Sequence, residues 1–188
     1  MAPAASGAAF MWDRTENTEM KNNRLRLFEK AVQSRLMFKF YLLRKLPLGL
    51  LAGLRVEHFD NERSVVSVPY NFLTGNPFGS AYFAPLSMAA ELSSGLYALR
   101  GVLASEVPVS MLVIGMNARF LKKARSRTRF ESRDANLIAG AIAACRNSDE
   151  GQQVVVHSIG FDADGHEVAH FEFRWSFRRK KNIQHINN

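Results

Sequence analysis

Between Asn71 and Leu99 the chain carries one formally charged side chain, Glu91, in the run NFLTGNPFGSAYFAPLSMAAELSSGLYAL. A lone carboxylate among apolar residues is costly to bury unless it is hydrogen-bonded, paired or protonated. Burial raises a carboxylate's pKa toward the range useful for general acid and base chemistry. At helical spacing Ser87 (i−4) and Ser94 (i+3) share the face of Glu91. Two readings therefore stand: a working acid or base, or a carboxylate satisfied by these serines or by an Arg from a neighbouring strand.

Upstream, Asn76-Pro77-Phe78-Gly79-Ser80 is a turn-forming stretch that leads into the same apolar run. A helix starting there presents unpaired backbone N–H groups and a positive dipole end, both suited to an oxyanion or a polarised carbonyl. Residues 82 to 84 are expected to supply those amides. Glu91 follows Ala84 by two turns, which suits activation of water beside a polarised carbonyl. Two other residue groups rank lower. His157, His166 and His170 near Asp162 and Asp164 match no standard metal spacing, so no metal is expected. Met37, Met88, Met111 and Met116 read as core filler.

The elements that must position these groups follow from pattern. Residues 21 to 45 contain neither Gly nor Pro, and Leu25, Phe28, Val32 and Leu36 recur near helical spacing. They predict one basic amphipathic helix, stopped by Pro47 and Gly49. Strands are expected over 54–59 and 64–70, around the turn Asp60 to Arg63. The apolar run then forms a helix buried on nearly all sides. Further strands are expected over Val109–Phe120, Arg127–Ser132, Gln153–Phe161 and Glu167–Phe177, with a short helix over Ala135–Arg146. Asp162 to Gly165 ends in Asp-Gly, a strong hairpin signal. In the last strand Phe171, Phe173, Trp175 and Phe177 alternate with polar residues, so one face meets a core. The sum is an α+β fold of about six antiparallel strands wrapped around a long central helix, whose small residues let the sheet approach closely. We expect a flexible arm over 1–20, a single domain over 21–181 and a tail over 182–188.

The 188 residues hold 25 basic and 17 acidic side chains and one cysteine, Cys145. One thiol forms no internal disulfide, and the N-terminus lacks a secretory pattern, so a cytoplasmic setting is expected. The most apolar run, Leu46 to Leu54, is too short to cross a bilayer. Twenty of the 25 cations lie in three segments, 21–45, 119–133 and 174–181. Such clusters attract anions: a phosphorylated ligand, acidic lipid or nucleic acid. No nucleic-acid motif accompanies them. A weak contact with acidic membrane through residues 21–45 is expected at most, because Phe38, Phe40 and Tyr41 lie among its Lys and Arg.

The order of strand, strand, Asn76-x-x-Gly79, buried helix with Ala90-Glu91, and an antiparallel run with an Asp-Gly hairpin resembles the hotdog-fold acyl-CoA thioesterase superfamily. The similarity is to its phenylacetyl-CoA and 4-hydroxybenzoyl-CoA thioesterase branch. The segment Ala90 to Gly95 resembles a hotdog subgroup catalogued as a domain of unknown function. The resemblance implies a hotdog fold and a homodimer or dimer of dimers with sites across subunit interfaces. It further implies Glu91 as general base or nucleophile, the Ala84 amide on the carbonyl oxygen, and Asn76 positioning water or substrate. Gly79, Tyr82, Phe83, Ser87 and Ser94 would line the thioester site. Lys122, Lys123 and Arg125 would meet the phosphates of coenzyme A, which enters as part of the substrate, with no cofactor. Where the branch has His-Gly-Gly this chain has Tyr82-Phe83-Ala84. That departure removes an imidazole and crowds the site, and keeps open a second reading: an acyl or acyl-CoA binding protein that does not cleave.

Overall fold

The computed structural model describes residues 7–148 and 150–180, and of residues 7–18 the backbone alone. Three helices, α1 (Gly7–Gln33), α2 (Arg35–Lys45) and α3 (Pro47–Leu51), precede a hairpin of β1 (Arg55–Phe59) and β2 (Ser64–Val68). The long helix α4 (Phe83–Ala104) follows, then β3 (Val109–Phe120), β4 (Thr128–Ser132), α5 (Ala135–Ala144), β5 (Gln152–Phe161) and β6 (Glu167–Arg179). The six strands form one antiparallel sheet in the order β1-β2-β4-β5-β6-β3, the α+β architecture the pattern predicts.

The N-terminal helix differs from expectation in two ways. Instead of one helix over 21–45, the chain breaks at Ser34, which is extended (φ −107°, ψ 117°) and whose hydroxyl accepts from the Met37 amide to cap α2. A serine competes for backbone donors better than it fills a helix interior, so it starts a second helix instead of continuing the first. Upstream, the helix begins at Gly7, inside the segment expected to be an arm. Residues 1–6 and 181–188, including the expected tail, lie outside the described residues.

Both hairpins are set by aspartates. Asp60 Oδ1 accepts from the Glu62 and Arg63 amides, each at 2.8 Å. Asp162 Oδ1 accepts from Asp164 and His166, and Gly165 supplies the positive φ of 85° that closes the turn. On β6, Phe171, Phe173, Trp175 and Phe177 are all buried. Each such burial contributes roughly 2–3 kcal/mol. Helix α4 lies against β2, β4 and β5 through Ala89, Ala90, Ser93, Ser94 and Ala98, and far less against β3. Small side chains give the close approach, and two polar links fix it. Ser93 Oγ meets Ser158 Oγ at 2.8 Å, and Trp175 Nε1 donates to Ser94 Oγ at 3.2 Å. Among the described residues no helix is long and apolar enough to cross a membrane.

Candidate functional site

The loop between β2 and α4 is built before the helix it launches. Thr74, fully buried, donates its hydroxyl to the Pro69 carbonyl at 2.7 Å and accepts from the Asn71 amide at 3.0 Å. Asn76 Oδ1 accepts from the amides of Phe78 (3.0 Å) and Ser80 (3.3 Å), while its Nδ2 donates to Ser80 Oγ and the Ala81 carbonyl. Gly79 completes the turn at φ 70°, a left-handed conformation that a side chain would strain. Asn76 is therefore spent on its own turn, where the resemblance implies a residue aimed at water or substrate.

At the start of α4, Tyr82 is the N-cap and makes no side-chain cap. Its own amide donates to the Thr74 carbonyl at 2.8 Å. Of the three amides expected at residues 82 to 84, the Tyr82 amide is thus already used, and those of Phe83 and Ala84 remain. Pro85, at the third helical position, has no N–H to lose.

These elements border an open cavity of about 540 Å³ lined by Asn76, Ser80, Tyr82, Phe83, Leu86, Phe120, Lys122 and Lys123 among others. Apolar walls with two cations suit a ligand that is apolar at one end and anionic at the other. Lys122 is partly occupied. It pairs with Asp162 at 2.7 Å and holds that carboxyl down to about 2. Lys123 donates to the Phe78 carbonyl at 3.2 Å. Arg125 is exposed and does not line the cavity, so the structure separates it from the two lysines.

Glu91 does not line this cavity either, and stands two turns along α4, roughly 10 Å from Ala84 by the helical rise. Its carboxylate is partly buried, and burial pushes its pKa up to about 6. Neither serine expected on its face holds it. Ser87 Oγ donates to the Phe83 carbonyl, and Ser94 Oγ donates to the backbone carbonyl of Glu91. Three groups that spacing alone did not single out surround it. A Cβ on Gly95 would stand 3.2 Å from Glu91 Oε1 and 3.6 Å from the Trp175 ring, so the missing side chain is the space the carboxylate occupies. Tyr41 of α2 is close enough that, after burial, the Glu91 charge raises its phenol's pKa. The i, i+4 relation of Glu91 to Gly95 was legible in the sequence; Trp175 and Tyr41 arrive from distant elements. Gly95→Ala is expected to leave stability within about 0.5 kcal/mol, since the displaced group is a flexible side chain and alanine favours a helix. Moving the carboxylate a few tenths of an ångström is expected to cost any reaction it performs about tenfold in kcat/KM, measured beside the melting temperature.

The histidines of the last hairpin disperse instead of converging. His157 faces Asp134, and His170 pairs with Glu167 at 2.8 Å. Asp162, Asp164 and His166 do approach one another, their ligand atoms lying within 4.8 Å. The Asp162 carboxylate is already engaged by Lys122 and two turn amides.

Residues 34–177 match the family described as a domain of unknown function, DUF4442. The chain is a member of the DUF4442 family. Its fold recurs in solved structures. PA5026 of Pseudomonas aeruginosa, described as a probable thioesterase, shares 22% identity at a TM-score of 0.63, over 78% of this chain and 97% of that one. Thioesterase HI1161 of Haemophilus influenzae shares 15% identity at 0.59, over 82% and 95%. A variant of a Staphylococcus aureus thioesterase shares 14% at 0.55, over 70% and 98%. This DUF4442 protein therefore has the hotdog fold, the architecture expected from Asn76, Gly79 and Glu91. No protein of curated function matches its sequence.

Proposed function

We propose that this protein hydrolyses an acyl-CoA thioester. The observation that carries the reading is Glu91, a carboxylate alone on an apolar helix, with its pKa pushed up to about 6 by burial. It would be largely ionised near neutral pH and still basic enough to take a proton. In the proposed reaction Glu91 takes a proton from water as the water oxygen adds to the thioester carbonyl. The amides of Phe83 and Ala84 would receive the oxyanion. The C–S bond then breaks, and the departing thiolate takes the proton from Glu91, giving a carboxylic acid and free coenzyme A. Lys122 and Lys123 would meet coenzyme A phosphates at the cavity mouth, with Tyr82 and Phe83 against the acyl group. A CoA-linked substrate and a single buried thiol fit a cytoplasmic setting.

The reading requires a second copy of the chain, because Glu91 and the cavity are apart within one protomer. Strand β3 supports one. It is an edge of the sheet, twelve residues long, with Leu112, Ile114, Met116 and Phe120 exposed. Met116 and Phe120 pair with Phe173 and Ala169 on the face toward α4, yet α4 leaves them uncovered. Long apolar edges of this kind are normally covered. A homodimer or dimer of dimers paired along β3 would cover them and close the cavity, and a solution mass of one protomer would remove this part of the proposal.

Binding without cleavage is the second reading, and the half-exposed rings of Tyr82 and Phe83 at the cavity mouth favour it. The deciding experiment is release of free thiol from short-chain, long-chain and aromatic acyl-CoAs, with Glu91→Ala beside the wild type. Turnover by the wild type and its loss in the variant would support hydrolysis. Tight binding of intact acyl-CoA with no thiol released would replace hydrolysis by binding alone.

A further inference from the structure

Helix α2 turns only Phe38 and Leu42 fully into the core. At about 100° per residue, Leu36, Phe40 and Leu43 fall within roughly 60° of one another on nearly the opposite side. They are 65%, 59% and 56% exposed. Lys39 borders this stripe on one flank and Arg44 on the other, and the apolar exposure continues through Leu46 into Leu48 and Leu51 of α3. From Lys30 to Arg55 there are six cations, Lys30, Arg35, Lys39, Arg44, Lys45 and Arg55, and no acid. All six are exposed, and none of their side chains has an ion-pair or hydrogen-bond partner among the described residues.

A helix of eleven residues with one stripe in its own core and a second facing solvent between cations is built to lie between protein and something apolar and anionic. We infer that the outer stripe of α2 and α3 is a docking surface for an anionic lipid bilayer. The helix would rest along the interface, sinking Leu36, Phe40 and Leu43 among the acyl chains while the flanking Lys and Arg meet headgroup phosphates. A second copy of the chain is disfavoured as the occupant, because it would bring the same six unpaired cations against these. The stripe also lies with β1, at the opposite edge of the sheet from the open strand β3.

The inference stands independently of thioester hydrolysis, and its test uses no substrate. Full-length protein is floated with vesicles of phosphatidylcholine alone or mixed with phosphatidylglycerol, at low and moderate salt. Flotation with the anionic vesicles, weakened by salt and at least about tenfold above that with neutral ones, is the expected result. Neutralising Arg35, Lys39, Arg44 and Lys45 to Gln, or replacing Leu36, Phe40 and Leu43 by Ser, should each lower partitioning at least about tenfold. These positions are exposed, so both variants should keep the wild-type circular dichroism. Should the serine variant unfold, Phe40→Trp decides: its added emission shifts to the blue on anionic vesicles if the stripe inserts. Absence of flotation, equal partitioning into both vesicle types, an unshifted Phe40→Trp, or a serine variant that changes only the oligomeric mass would overturn the inference.

Discussion

Glu91→Gln is expected to lower thioester hydrolysis about a thousandfold while raising the melting temperature. The activity loss follows from removing the group proposed to take and return the proton. The gain in stability follows from linkage. Burial raises the carboxyl from its ordinary 4.5 to about 6 in the folded protein. Between these values the native state binds more protons than the unfolded one, so stability falls as pH rises through the window. It is greatest below 4.5 and reaches its lower plateau above about 6. Near neutral pH the wild type thus carries an ionised, half-desolvated carboxylate that costs on the order of 1–2 kcal/mol, and glutamine does not. For a domain of this size that is about 2–8 °C in melting temperature. Wild-type turnover should itself rise as pH climbs through about 6, opposite to stability. A glutamine variant that turns over like wild type, or that melts lower at neutral pH, would remove Glu91 from the centre of the chemistry.

Gly160→Ala should destabilise the fold by about 3 kcal/mol, lowering the melting temperature by about 6–12 °C. Gly160 of β5 stands directly across from Phe130 of β4. A Cβ there would lie 2.5 Å from the ring's Cε1 and 2.8 Å from Cζ, too close without displacement of the ring. Phe130 has nowhere to go. It is fully buried and stacks edge-on against Phe171, which is stacked in turn on Phe173. That aromatic row belongs to β6, the strand that also presents Trp175 to Ser94 and Gly95. Thermal melts of Gly160→Ala, Phe130→Leu and the double variant provide the test. Coupling of about 1–2 kcal/mol is expected, because the smaller side chain makes room for the added methyl. Strict additivity would show that the close approach carries no weight.

What the sequence by itself determined is whatever depends on neighbours along the chain. Period two in residues 167 to 177 declared a strand with one buried face, and Asp-Gly at 164 and 165 declared its hairpin. One carboxylate in the otherwise uncharged run from Asn71 to Leu99 marked Glu91 as the unusual residue before any partner was known, because the cost of burying charge does not depend on which residues do the burying. Asn76, Gly79 and Glu91 together carried the resemblance to the hotdog superfamily, and the fold agrees.

What only the tertiary structure decided is how each donor and acceptor is spent. Tyr82 loses its amide to Thr74, Asn76 is consumed by its own turn, and Lys122 is held by Asp162, forty residues away. Ser87 and Ser94 share a helical face with Glu91 yet bond backbone carbonyls, since a serine within a helix reaches the preceding turn more readily than a neighbouring side chain. The break at Ser34 was likewise a competition that helical periodicity cannot register. Trp175, Tyr41 and the space above Gly95 surround the carboxylate from three elements, and no spacing in one segment encodes their meeting. Residue types and local period state what each segment can do; long-range packing determines which groups are left free to do it.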